Sequence, residues 1–190
     1  MKLFSSIRAA LGLLLIMTIL LGGVYPLLVL GFAQTFFPHK AEGSLIERGG
    51  KVVGSSLLGQ QFDSPKYFWG RLSATTPAYN AAASSGSNFN PANPKLLEAA
   101  NARIAALQKA DPANKEPVPV DLVTSSASGL DPHISLAAAE YQAPRVAGAR
   151  NMKTEIVEQL VKKYTEAPGF GLLGEPYVNV LRLNMALDEK

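Results

Sequence analysis

An α+β fold carried on one N-terminal membrane helix is what the 190-residue sequence predicts, and three observations point there. No Asp, Glu, Lys or Arg stands between Arg8 and Lys40, a gap of 31 residues. Beyond it, three amphipathic helical patterns outweigh a few short alternating runs, which suits a small sheet packed with helices. Cysteine is absent, so no disulfide framework holds the chain and an apolar core must do so.

The first element is the anchor. Ala9 to Phe32 is a run of Leu, Ile, Val, Gly and Ala that spans about 36 Å as a helix, enough for a hydrocarbon core of ~30 Å. Signal-peptide cores run to roughly 15 residues, so this longer one reads as a retained anchor. Lys2 and Arg8 flank it on one side without an acid, whereas Lys40 and Arg48 are mixed with Glu42 and Glu47 on the other. That asymmetry keeps the N-terminus in the cytoplasm and places the rest of the chain outside the inner membrane. Residues 1–38 are therefore a stub and anchor, and residues 39–190 an extracytoplasmic domain. Within the anchor, Thr18, Gly22 and Pro26 recur every four residues and share a face that another helix can approach closely. Pro26 lacks a donor and crowds the carbonyl of Gly22, which predicts a bend near Gly22 and Gly23.

In the domain, Lys51 to Leu58 reads as a strand and Thr75 to Pro94, rich in Asn, Ser, Ala and Pro, as a loop. A helix starts at the N-cap Asn93 with Pro94 first, turns Leu97, Ala100, Ile104 and Leu107 inward, and stops at Asp111-Pro112. Val118 to Val123 alternates and reads as an edge strand, and Thr124 to Pro132 as a turn-rich loop. A second helix follows Ser135 and is interrupted or restarted at Pro144. A third runs from Thr154 with Ile156, Val157, Leu160, Val161 and Tyr164 inward, ended by Pro168-Gly169. Tyr177 to Leu183 completes the set as a buried strand.

Little chemistry is written in these residues. Gly54 to Gln60 lacks the lysine of a phosphate-binding loop, and no dinucleotide fingerprint, zinc motif or EF-hand spacing occurs. The oxygen-rich Thr124 to Asp131 segment forms turns and caps more readily than a cation site. Nucleic acid is excluded as a partner, because removing Lys2 and Arg8 leaves 16 basic against 15 acidic residues and no basic run. Two alternatives stay open: an anchored periplasmic hydrolase built on His133, Asp131 and the serines 125, 126 and 128, and a secreted binding protein released at Gly31-Phe32-Ala33.

Several segments together resemble the KdpC family, the C subunit of the bacterial Kdp potassium-transporting P-type ATPase. They are Gly22 to Leu28, Gly54 to Phe62, Tyr67 to Thr75, Ser84 to Asn88, Val118 to Asp131, Gln142 to Arg150 and Gly174 to Asp188, covering nearly the whole chain in order. One departure is Ser85, where the family usually has Gly in a Gly-Gly-Ser-Asn loop, and a side chain there restricts φ. The resemblance implies a non-catalytic accessory subunit in the bacterial inner membrane. Its partners would be the pore-forming potassium-translocating subunit, the P-type ATPase subunit, the small membrane subunit of the complex, and lipid. It also implies a catalytic chaperone that raises the ATP affinity of the ATPase subunit through a transient ternary complex, with no cofactor otherwise supported. On that resemblance Thr18, Gly22, Gly23 and Pro26 are expected to pack against a neighbour in the membrane. Docking is expected of Arg71, Ser73, Thr75, Ser87, Asn88, Ser128, Gly129, Asp131, Pro144 and Arg145.

Overall fold

Apolar residues, with no charge beyond Arg8, make the N-terminal segment helical almost from the start. The computed structural model describes residues 2–168, 171 and 173–190, and it divides into two units, Met1–Val53 and Gly54–Lys190. In the first, α1 (Lys2–Ile19) and α2 (Tyr25–Phe36) are joined by a widened π turn at Leu20–Val24. The stretch Leu3–Phe36 is 34 residues of apolar helix, none of it buried within the chain, and it is long enough to cross a membrane with tilt. It exceeds the expected Ala9 to Phe32 at both ends, because the flanking Ser5, Ser6, Gln34 and Thr35, and the basic Arg8 at the N-terminal end, continue helical hydrogen bonding. A short α3 (Pro38–Ala41) and the strand β1 (Leu45–Arg48) follow, β1 pairing with β2 (Lys51–Ser55) across the left-handed Gly49 and Gly50. The expected strand at Lys51 is thus present but stops at Ser55, whose Oγ accepts from Leu57 N and turns the chain.

The second unit is the α+β domain. Its α4 (Pro94–Ala110) begins where expected, with Asn93 Oδ1 accepting from Lys95 N and Asp111 as C-cap. Of the expected face Leu107 is buried and Ala100 and Ile104 are half-buried, but Leu97 is exposed, and Leu96 and Arg103 take its side instead. The strand expected at Val118 to Val123 is instead a single helical turn, α5 (Val120–Val123). Leu122 is buried and Val120 exposed, so the run follows no strand alternation. Asp121, freed from a ladder, accepts from Ser135 N (2.8 Å) and Ser135 Oγ (3.1 Å).

A three-stranded antiparallel sheet, ordered β3-β5-β4, is formed by β3 (His133–Ser135), β4 (Thr165–Glu166) and β5 (Tyr177–Asn179). Val178 sits centrally, opposite Ile134 and Thr165, and is fully buried. The expected strand to Leu183 ends after three residues, since Asn179 Oδ1 accepts from Arg182 N and caps α8 (Val180–Leu187). Its apolar residues Val180, Leu183 and Leu187 are buried at helical spacing.

Between β3 and β4 lie α6 (Leu136–Arg150) and α7 (Thr154–Tyr164), which pack together over Ala139, Ala143, Val146, Val157 and Val161. Contrary to expectation, α6 runs through Pro144 without a break. The carbonyl deprived of its donor is that of Glu140, on the exposed side where solvent satisfies it, and Pro144 is itself exposed. Both ends are also fixed, by the Ser135 N-cap and by Asn151 in the left-handed region at φ 55°. In α7 the residues Val157, Leu160 and Val161 point inward as expected, but Ile156 is 39% exposed and lies on the shoulder of the face. The helix ends at Tyr164 and passes into β4; Gly169 of the expected stop lies outside the described residues.

Candidate functional site

In the anchor, Pro26 cannot donate, and the helix answers by widening: Tyr25 N–H reaches back five residues to Leu20 O. The irregularity expected at Gly22 and Gly23 is therefore this π turn. Thr18 Oγ1 donates to Leu14 O at 2.8 Å, which satisfies its hydroxyl within the helix. At Gly22 and Gly23 no neighbouring group of the chain lies within 4 Å of where a Cβ would stand. The stripe of small residues is open to a helix from elsewhere.

The domain's expected docking residues, all but Pro144 and Arg145, are gathered from three loops into one joint. Arg71 is half-buried, its Nη1 3.1 Å from Asp131 Oδ2 and its Nη2 3.3 Å from Ser125 O. Ser73 Oγ donates to Gly129 O at 2.7 Å and accepts from Tyr79 N at 3.0 Å. Thr75 Oγ1, 2.9 Å from Ser73 Oγ, donates to Pro77 O and accepts from Asn80 N. The third loop, residues 84–88, is held by Ser85 N and Ser84 Oγ, both 3.0 Å from Ser128 O. Two glycines make this approach possible. A Cβ at Gly129, which has φ 69°, would fall 2.7 Å from Ser85 O, and one at Gly86 would fall 2.7 Å from Ala127 O. The substituted Ser85 fits without strain, because the positive φ of this loop falls on Asn88 (50°). Asn88, Ala127 and Ser128 are exposed and Ser87 is half-buried, so they form the outer rim, while Arg71, Ser73, Thr75, Gly129 and Asp131 brace it from below.

Electrostatics follow the geometry. Burial alone would raise the Asp131 carboxyl, but hydrogen bonds from His133 and Arg71 outweigh it and hold the group below the usual carboxylate range. Burial pushes the Tyr79 hydroxyl, which donates to Arg71 O at 2.7 Å, up to about 12.

Pro144 and Arg145 stand apart from this joint. Pro144 is exposed on α6, and Arg145 is buried with its guanidinium 4.6 Å from the Trp69 ring. Its donors reach Pro65 O, Tyr67 O and Gln142 Oε1. Burial, then the nearby charge of Arg103, pulls it down to about 10, so it stays charged at neutral pH. It works with two side-chain amides that sequence reasoning missed. Gln142 accepts from Trp69 N (2.9 Å) and donates to Trp69 O (3.2 Å). Asn184 does the same for Phe68, at 2.8 and 3.0 Å. The buried Phe68-Trp69 segment thus obtains from α6 and α8 the hydrogen bonds that a neighbouring strand would give. Arg103 completes the setting, its Cζ 4.9 Å from the Trp69 ring and its donors on Leu122 O and Gly70 O. The one available signal was a polar residue on an otherwise apolar helical face, as at Arg103 between Ala100 and Leu107.

Only half of a hydrolytic constellation is present at His133. Its Nδ1 lies 3.4 Å from Asp131 Oδ1, yet Nε2 is 3.5 Å from the Asn179 amide nitrogen, and no serine hydroxyl bonds the ring among the described residues. The imidazole rests on Tyr177 with centroids 4.5 Å apart. Among the described residues no cluster of His, Asp and Glu is arranged to hold a metal.

Comparison with known proteins matches residues 7–189 to the family model described as KdpC, K+-transporting ATPase, c chain. Curated relatives include the potassium-transporting ATPase KdpC subunits of Methylococcus capsulatus, 62% identical over 95% of this chain and 96% of that protein, and of Herpetosiphon aurantiacus, 61% identical over 96% and 95%. That of Ralstonia nicotianae is 59% identical, over 96% of this chain and 90% of its own.

Proposed function

Because the chain belongs to the KdpC family of K+-transporting ATPase subunits, we propose that it is the non-catalytic accessory subunit of an ATP-driven potassium uptake complex. The observation that carries this reading is the family match over residues 7–189, which takes in the anchor and every segment of the loop joint. In this reading Leu3–Phe36 crosses the bacterial inner membrane once, with the N-terminus in the cytoplasm. Beyond Arg8 the helix carries no charge and is a poor lining for an ion route, so it packs beside the pore-forming subunit through the Thr18, Gly22, Gly23 and Pro26 stripe. The domain then sits at the outer mouth of that subunit, and the P-type ATPase subunit and the small membrane subunit complete the assembly.

Docking is assigned to the rim, Ser87, Asn88 and Ser128, held in shape by Arg71, Ser73, Thr75, Gly129 and Asp131. Pro144 offers an exposed second contact, with Arg145 fixing the helix beneath it. The catalytic-chaperone role, raising the ATP affinity of the ATPase subunit, is carried as an effect transmitted through the membrane subunits. Two things support that route: the charge asymmetry puts the domain opposite cytoplasmic ATP, and the sequence has no phosphate-binding glycine loop. The test is co-purification of the tagged chain with the complex, comparing wild type with Gly22→Leu in the stripe and Ala127→Glu on the rim. Both variants should fold normally and lose most of the recovered partners; undiminished recovery with both would contradict the docking scheme.

A further inference from the structure

Beneath the loop joint lies a cavity of about 160 Å³ whose walls include Gln61, Gly70, Arg71, Ser73, Tyr79 and Arg103. At ~30 Å³ per water it has room for about five waters. We propose that this cavity binds a small oxyanion, either a free tetrahedral ion or a carboxylate presented by an acidic side chain of a neighbouring subunit.

Two guanidiniums face a space of this size, and their charges are unequally answered. Arg71 is paired with Asp131 through Nη1. Arg103, among the described residues, forms no ion pair: its donors go to the carbonyls of Leu122 and Gly70 and its plane to the Trp69 ring. Asp63, the one carboxylate that influences Arg103 among the described residues, is exposed and bonded by Gln61 at 2.6 Å. Arg71 Nε is the one buried side-chain polar atom without a hydrogen-bond partner among the described residues, but it is closed off from water and does not itself reach the cavity. An oxygen anion in the cavity answers the uncompensated charge of Arg103, since guanidinium donors and a full positive charge are what recognise phosphate, sulfate and carboxylate. A metal cation would meet the same two charges as repulsion. As a site for a free ion it stands independently of the subunit role, because it rests on this cavity alone; only the carboxylate source rests on that reading.

The experiment is calorimetric titration of the purified full-length chain in detergent with sulfate, phosphate and acetate, each against chloride at constant ionic strength. Saturable one-site binding is expected, weakened about tenfold or more in Arg103→Gln by loss of a charge-assisted contact. Arg182→Gln, an exposed change on α8, should leave it unaltered. Tetrahedral ions binding in preference to acetate would identify a free oxyanion as ligand, and the reverse order an acidic side chain. Where Arg103→Gln does not fold, crystals soaked in selenate should show an anomalous peak within hydrogen-bond distance of Arg71 or Arg103. Absence of saturable binding by all three ions, or a selenate peak elsewhere, would overturn the proposal.

Discussion

Replacing Asn184 with Ala should cost the domain far more than the loss of one small polar side chain suggests. Asn184 is 1% exposed and Phe68 is fully buried, so when the amide is removed neither Phe68 N nor Phe68 O has water to turn to. The two bonds lost are 2.8 and 3.0 Å long. At about 1–3 kcal/mol for each buried group left unanswered, the sum is about 2–6 kcal/mol. With roughly 3 °C of Tm per kcal/mol for a domain of this size, heat denaturation should fall by about 6–18 °C. Circular dichroism of the full-length chain in detergent reads this, with the exposed Glu189→Ala as a control expected within about 0.5 kcal/mol of wild type. A loss below about 0.5 kcal/mol for Asn184→Ala would refute the idea that side-chain amides stand in for a strand beside Phe68 and Trp69.

Other substitutions probe the loop joint. Gly129→Ala, at φ 69° and with a Cβ 2.7 Å from Ser85 O, should destabilise by about 1–3 kcal/mol by thermal melt. The Asp131 carboxyl is held below its unfolded value, so its stabilisation is complete above about pH 4 and is lost as pH falls through the folded pKa. Asp131→Asn should therefore be less stable than wild type at pH 7, with the difference shrinking in acid urea melts. Tyr79 is shifted the other way, to about 12: its neutral form is favoured by folding, and that contribution declines once pH rises above about 10. Absorbance titration should show a late tyrosinate phase that disappears in Tyr79→Phe.

Where helical periodicity or capping spoke for one element, the sequence could be read directly. Asn93-Pro94 begins α4, Ser135 caps α6, and the charge-free run from Ala9 to Phe36 is helical. The errors arose where tertiary partners decided between equal local options. Val118 to Val123 alternates well enough for a strand, but Asp121 is drawn to Ser135 and the run coils. Pro144 should have broken a helix, yet its missing bond falls on the solvent side of a well-fixed α6. The loop residues Arg71, Ser73, Thr75, Gly129 and Asp131 could be named from family resemblance, but not their mutual bonds, which span more than fifty residues of chain. Gln142, Asn184, Tyr79 and Arg103 escaped notice because each meets backbone groups of another segment that only the folded chain brings to it.

Potassium uptake reads the proposed subunit role most directly. A strain lacking this gene but retaining the other subunits should fail to accumulate potassium from micromolar concentrations and lose potassium-stimulated ATPase activity in its membranes. Both should return with the full-length chain and stay absent when residues 1–36 are removed. Normal uptake and ATPase activity in the deletion strain would contradict the accessory-subunit reading outright.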